Sequence, residues 1–135
     1  MGVLARTTCV AVAACVLAVG CGTAEREADL IAVSDSFHAA LAARDGSGAC
    51  AELSSEAAET VARAEQRPCP EAILGLDLPA GARASGAEVY VTSGYAQLLG
   101  ADVVFLDDGP AGWKVTAAGC TPSSPGEPYD CELGG

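Results

Sequence analysis

The chain has 135 residues, half of them hydrophobic, and a formal net charge of −11. This length favours a single domain. The acidic charge argues against binding to nucleic acid and against electrostatic docking on anionic lipid. Aromatic residues make up only 4% of the chain, so a core has to consist mainly of Leu, Val and Ile.

The first 20 residues have the layout of an export signal. A basic start ending at Arg6 is followed by 14 uncharged, largely apolar residues over 7–20. This run is shorter than the ~20 residues that a membrane-spanning helix needs. The pattern predicts a signal peptide over 1–20 that is removed on export.

The apolar run ends in Leu-Ala-Val-Gly at 17–20, immediately before Cys21. This segment resembles the lipobox of bacterial lipoproteins, whose cysteine is lipidated and becomes the mature N-terminus. The resemblance implies a diacylglyceryl anchor on Cys21 and a position on the outer face of the cell membrane, and two acyl chains suffice for stable anchoring. A second match ends at Cys15 but leaves an apolar run too short for export. Free secretion after ordinary cleavage is the alternative.

The seven cysteines divide by position. Cys9 and Cys15 leave with the signal, Cys21 carries the lipid, and Cys50, Cys69, Cys120 and Cys131 remain. Outside the membrane these four predict two disulfides, for which three pairings exist. Nearest-neighbour pairing is the simplest. A zinc site is disfavoured because the chain lacks a Cys-x-x-Cys pair and its one histidine is poorly spaced.

The first half of the mature chain reads as helical. Polar residues over 21–29 predict a short tether, and apolar residues then recur at three- and four-residue steps from Leu30 to Leu41. A second helical region covers 50–64, with a break or cap at Ser54 or Ser55. Pro70 is placed to open a short helix.

The second half changes to the period of strands. Alternation or apolar runs predict strands near 87–92, 95–99, 102–107 and 113–117. The last segment, 121–135, is rich in Pro, Ser and Gly and is expected to be a tail held by its cysteine. The predicted organisation is an α+β domain over 30–120 followed by this tail.

Two segments resemble parts of small actinobacterial lipoproteins. They are Ala-Cys-Ala-Glu-Leu at 49–53 and Gly-Trp-Lys-Val-Thr-Ala-Ala-Gly-Cys at 112–120. These lipoproteins are similar to the cystatin-like cone of nuclear transport factor 2 and ketosteroid isomerase. The resemblance covers roughly 30–120 and implies two or three N-terminal helices packed on one face of a curved antiparallel sheet of about four strands. It implies a fold and a location, and no activity.

Few residues suggest chemistry. His38 is the only histidine, lies on the flank of the first helix stripe and lacks a partner for catalysis or metal binding, which predicts a surface residue. The pair Asp107-Asp108 precedes Gly-Pro and indicates a hairpin turn. Trp113 is expected to pack the sheet against the helices.

Tyr90 and Tyr95 lie near Glu88 and admit two interpretations. They form a cross-strand aromatic pair beside a solvated carboxylate. By analogy with ketosteroid isomerase, they alternatively contribute to an acid–base site inside the cone. The cross-strand pair is favoured, because analogy between folds is a weak argument for activity.

The sequence therefore predicts a non-catalytic binding or interaction module at the cell surface, joined to the membrane through lipid on Cys21. We expect no cofactor, no metal and no nucleic-acid partner. The alternative is a small-molecule binder or an isomerase- or cyclase-like enzyme with a pocket inside the cone. A polar-lined cavity would favour this alternative, and a filled apolar core would favour the interaction module.

Overall fold

A computed structural model describes residues 21–100 and 102–134. The predicted signal peptide over 1–20 lies outside these residues. The described residues form four α-helices and one 3₁₀ turn, followed by five strands. The helices are α1 (Cys21–Ala42), α2 (Gly46–Glu52), α3 (Ser55–Glu65) and α4 (Cys69–Ala72), with the 3₁₀ turn at Ile73–Gly75. The strands are β1 (Ala84–Val89), β2 (Ser93–Leu98), β3 (Val103–Gly109), β4 (Gly112–Pro122) and β5 (Tyr129–Leu133).

The strands form an open antiparallel meander in the order β1-β2-β3-β4-β5. The predicted α+β class is confirmed, with the helices preceding the sheet. The sheet has one strand more than the expected four. None of the described helices is long and apolar enough to cross a membrane.

Helix α1 is longer than its apolar stripe. It begins at Cys21, so the segment 21–29, expected to be a tether, forms its first turns. Ala, Glu and Arg in this segment are good helix formers, which explains why helix extends beyond the buried residues. Leu30, Phe37 and Leu41 are buried, as their spacing predicts.

The predicted break between α2 and α3 lies at Ser54. Its Oγ accepts a hydrogen bond from the Ala57 amide at 3.1 Å, as expected of an N-cap residue. Its own amide donates to the Val115 carbonyl at 2.9 Å. Leu53 also forms a bridge with Val115. The α2–α3 connection therefore covers the part of the β4 edge that β5 leaves unpaired.

The two faces of the sheet carry separate apolar clusters. The inner face packs on the helices and forms the main core. Its buried strand residues are Ala96, Leu98, Val104, Leu106, Trp113, Val115, Ala118 and Leu133. The outer face carries a smaller cluster of Val103, Ala117 and Cys120, on which Tyr95, Phe105 and Cys131 pack.

The C-terminal segment differs from the expected tail. Tyr129–Leu133 pairs with β4 as an edge strand, and Leu133 is 2% exposed within the main core. Between β4 and β5, residues 123–128 are irregular. Sequence periodicity missed β5 because the strand is short and contains two acidic residues among its five.

Both disulfides follow the nearest-neighbour pairing. Cys50–Cys69 joins α2 to the start of α4, with the Cα atoms 6.2 Å apart. Cys120–Cys131 joins β4 to β5 at positions that face each other in the register. One disulfide therefore fixes the helical layer, and the other fixes the last strand to the sheet.

Candidate functional site

The interior contains two polar side chains on α1. His38 and Ser34 are completely buried, so the prediction of a surface histidine was wrong. The two residues lie four positions apart, on the face that α1 turns to the sheet. The expectation failed because it placed His38 on the flank of the stripe, whereas the buried face of α1 is wide enough to include it.

The hydrogen bonding of His38 fixes its tautomer. Nδ1 lies 2.7 Å from the Ser34 carbonyl oxygen, which only accepts, so Nδ1 carries the proton. Neither Nε2 of His38 nor Oγ of Ser34 has a hydrogen-bond partner among the described residues. Burial lowers the pKa of His38, against smaller opposing effects of the Ser34 carbonyl and Asp35. The imidazole is therefore neutral at pH 7 and is enclosed in the core.

The outer face of the sheet carries a continuous row of aromatic rings. Tyr90 and Tyr95 have ring centroids 6.5 Å apart, Tyr95 and Phe105 6.1 Å, and Phe105 and Tyr129 5.3 Å. Tyr90 and Tyr129 are 56% and 44% exposed. We call this row, together with Glu88, the aromatic face. It contains four of the six aromatic side chains of the protein.

The strand register explains why these rings meet. Glu88 of β1 pairs with Tyr95, and Tyr95 pairs with Phe105 on β3. The register partner of Phe105 on β4 is Ala117, whose small side chain leaves the ring accessible from the β5 side. Cross-strand neighbours on one face have Cβ atoms ~5 Å apart, within reach of aromatic side chains. The sheet itself therefore positions the row.

Hydrogen bonding ties Glu88 to the aromatic row. The Tyr90 hydroxyl donates to Oε2 of Glu88 at 3.0 Å. Burial, and next the carboxylate of Glu88, raise the pKa of Tyr95 to about 12. Tyr90 and Tyr95 thus form the predicted cross-strand pair with Glu88. All three lie on the outer face, away from the helices, and not inside a cone.

The fixed charges around the aromatic face are acidic. Asp107 alternates to the same side of β3 as Phe105 and is exposed. Its cross-strand partner Lys114 turns to the edge of the sheet, where Nζ donates to the Ala51 carbonyl at 2.7 Å. Glu88 and Asp107 therefore leave negative charge at two sides of the row.

Open clefts of about 440 Å³ each lie on both sides of the β3–β4 hairpin. One lies between Leu53–Glu56 and the hairpin, and another is lined by Arg26, Glu52 and Trp113 among others. None of these clefts includes Ser34 or His38 in its wall. Within 21–100 and 102–134, no three His, Cys, Asp or Glu residues are grouped so that they would hold a metal ion.

The other residues that the sequence analysis singled out are part of the core or of the β3–β4 hairpin. Trp113 is 6% exposed and packs in the main core, as expected. Asp107 and Asp108 belong to the β3 end of the hairpin, and Asp108 pairs with Arg26 at 3.2 Å. Sequence reasoning missed the aromatic row as a unit. The row could have been found from the sequence if each aromatic residue had been placed on the outer face of a meander. This placement requires the strand register and the presence of β5, which the sequence analysis did not supply.

Comparisons with protein-family models, with curated proteins and with solved structures yield no match to this chain.

Proposed function

We propose that the protein is an exported bacterial lipoprotein, held on the outer face of the cell membrane by lipid on Cys21, that presents a non-catalytic binding module. Support for export comes from the apolar run over 7–20 and the lipobox-like segment that ends at Cys21. The two disulfides are consistent with an oxidising compartment. The position of Cys21 at the start of α1 leaves the folded domain directly behind the anchor.

The observation that carries the binding role is the aromatic face. Four rings in contact lie on the side of the sheet opposite the main core, and two of them are about half exposed. Tyr is favoured at binding surfaces because it offers a large contact area with few rotatable bonds and a polar tip. We propose that this face binds a polypeptide segment that presents Lys or Arg side chains.

Charge is the reason for choosing a basic partner. The faces of the Tyr and Phe rings attract cations. Glu88 and Asp107 add carboxylates at the margins, and Lys114, the cross-strand partner of Asp107, is engaged with the Ala51 carbonyl. A guanidinium or ammonium group on this surface would meet ring faces and carboxylates together, whereas an acidic or phosphorylated partner would be repelled.

We further propose that the domain is a variant of the nuclear transport factor 2-like cone. In support, the helices come first, the strands form a meander, and the helices pack on one face. Irregular register at Ala84/Gly86 in β1–β2 and twice in β3–β4 is of the kind that bends a sheet.

A second candidate function is the binding of a small molecule between α1 and the sheet. It is favoured by the buried Oγ of Ser34 and Nε2 of His38, which have no hydrogen-bond partner among the described residues. Titration of neutral ring ligands against wild type and the Ser34→Val variant would test it. A ligand that raises the Tm of wild type but not of the variant would support this candidate.

The anchor is tested in cells. Wild type should incorporate labelled palmitate and fractionate with the membrane, whereas Cys21→Ser should lose the label and leave the membrane or remain as a precursor. Cys15→Ser is the matched control and should keep the label. Label that survives Cys21→Ser and disappears with Cys15→Ser would move the anchor and refute the assignment.

The binding face is tested with defined probes on the mature chain. An Arg- and Lys-rich nonapeptide, its Glu-substituted counterpart and a neutral hexasaccharide are titrated by NMR. We expect shifts centred on Tyr95, Phe105 and Tyr129 with the basic peptide alone, and at least fivefold weaker binding for Tyr129→Ser. Leu99→Ser is the control, because Leu99 is exposed but lies outside the row. Binding of the hexasaccharide alone would replace the proposed partner with a glycan.

A further inference from the structure

One guanidinium ties the first turns of α1 to the β1–β2 hairpin. Arg26 donates from Nη1 to the Tyr90 carbonyl at 3.1 Å and from Nη2 to the Val91 carbonyl at 2.9 Å. It also pairs with Asp108 at 3.2 Å. Because α1 is helical from Cys21, Arg26 follows that residue by five positions, or ~7.5 Å along the helix axis. The start of the helix and the hairpin tip therefore form one end of the domain.

The hairpin tip at this end exposes apolar and aromatic surface. Val91 is 87% exposed and Tyr90 is 56% exposed, although their carbonyl groups are held by Arg26. Tyr side chains favour the boundary between headgroups and acyl chains, because the ring is apolar and the hydroxyl remains hydrated. Leu99, 71% exposed, lies at the opposite end of β2, which is ~20 Å long.

We propose that Tyr90 and Val91 rest in the headgroup–acyl boundary of the bilayer that holds the lipid of Cys21. This inference rests on the proposed function, because it takes Cys21 as the site of lipid attachment. A flexible tether would leave the domain free to tumble, whereas a helix held by Arg26 fixes the attachment point relative to the hairpin. The domain then contacts the membrane at two points, the lipid of Cys21 and the hairpin tip. The strands run away from the bilayer, and the aromatic face is directed parallel to the membrane plane.

The charges at this end restrict the type of lipid surface. Glu25, Glu27 and Asp29 lie in the first turns of α1, Glu88 and Asp108 flank the hairpins, and Arg26 is the cation among them. Anionic headgroups would be repelled by this set. The occupant is therefore a zwitterionic lipid surface, and the contact is shallow because it consists of one aromatic and one aliphatic side chain.

The orientation is measured with the mature chain attached to vesicles. Cys21 is the only cysteine of the mature chain outside the two disulfides, so it couples to a maleimide lipid in phosphatidylcholine vesicles. Val91→Trp reports on the hairpin tip, and Leu99→Trp is the matched control at the other end of β2. The quenching of tryptophan fluorescence by lipids brominated near the headgroup is measured for each variant. It is compared with the quenching in the parent chain, whose Trp113 is buried.

We expect at least twofold stronger quenching for Val91→Trp than for Leu99→Trp, which should match the parent. Equal quenching at both positions, or none above the parent, would overturn the proposal. In vesicles that contain phosphatidylglycerol, the difference in quenching between Val91→Trp and Leu99→Trp should be smaller. Since the maleimide supplies the anchor, this result does not depend on lipidation in cells. Loss of palmitate labelling on wild type would refute the proposed function, while unselective quenching would refute only the orientation.

Discussion

The Arg26 guanidinium lies over the ring of Trp113, with its central carbon 5.2 Å from the ring centroid. Trp113 is a buried residue of β4 in the main core, so this contact joins the first turns of the helix to β4. Together with the carbonyl groups of Tyr90 and Val91, it connects α1 to two hairpins. A residue from the segment expected to be a short polar tether therefore organises one end of the domain.

Removal of the guanidinium should destabilise the domain. Arg26→Met keeps much of the aliphatic chain but loses the two carbonyl hydrogen bonds, the Asp108 pair and the cation–π contact. We expect a loss of about 1–2 kcal/mol in urea denaturation, most of it from the hydrogen bonds and the ring contact, because the ion pair, whose side chains are 36% and 33% exposed, adds little. Arg63→Met is the control, since Arg63 is exposed and its side chain donates a hydrogen bond to Thr60 on the same helix. An equal loss of stability in Arg26→Met and Arg63→Met would show that the contacts of Arg26 contribute nothing specific.

His38 should make folding stability depend on pH. Its pKa is lowered in the folded state, so the unfolded chain binds the proton more readily between the folded pKa and ~6.5. The free energy of unfolding is therefore highest above pH ~6.5. It decreases as the pH falls from ~6.5 to the pKa of His38 in the folded state, and below that pKa the effect of His38 no longer changes with pH. Urea denaturation from pH 8 to pH 5 should show this slope in wild type and a reduced slope in His38→Leu.

Ser34→Ala provides the matched control for that experiment. It removes a buried hydroxyl without a partner and leaves the imidazole in place. We expect stability that is unchanged or higher by about 1 kcal/mol, with the pH dependence retained. If Ser34→Ala abolished the slope and His38→Leu did not, His38 would not be the titrating group.

The two disulfides should stabilise the domain by similar amounts. Cys50–Cys69 and Cys120–Cys131 close separations of 19 and 11 residues, which the chain-entropy model converts to about 3 kcal/mol each. The C-terminal disulfide holds a strand whose Leu133 is part of the core, so its loss should affect the folded domain and not only a chain end. Denaturation of the two double-Ser variants should differ by less than about 1 kcal/mol. A much smaller loss for the C-terminal pair would indicate that β5 separates readily from the sheet.

Gly46 should tolerate no side chain. A Cβ atom built at this position would overlap the carbonyl oxygen of Pro70, which is main chain and is fixed by the start of α4. Gly46→Ala should therefore cost about 1–3 kcal/mol, as overpacking does in well-packed interiors. Gly75→Ala is the control because a Cβ there has no neighbour within 4 Å. Circular dichroism during heating should give a lower Tm only for Gly46→Ala.

Sequence periodicity predicted the parts of the fold in which the pattern and the burial agree. The stripe from Leu30 to Leu41 predicted the buried part of α1, and the cap at Ser54 marks the α2–α3 boundary, because these features depend on neighbouring residues. The first turns of α1 were missed since they bury few apolar side chains. β5 was missed because the strand is short and two of its five residues are acidic, so it gives no strand periodicity.

The candidate site was harder to predict than the fold. The cross-strand pair of Tyr90 and Tyr95 beside Glu88 follows from local alternation and is confirmed. The extension to Phe105 and Tyr129 requires the register of four strands, which periodicity does not supply. His38 was misplaced because a single polar residue on a helix flank carries no signal for burial.

Helix α1 has a mechanical consequence if Cys21 carries the anchor. The residues that would receive a pull from the membrane continue without interruption into the buried stripe from Leu30 to Leu41. A force on the lipid would therefore be transmitted through α1 to the core and to the contacts of Arg26. Because α1 runs from Cys21 into the core without a flexible linker, pulling the protein out of the bilayer would also apply force to the folded domain.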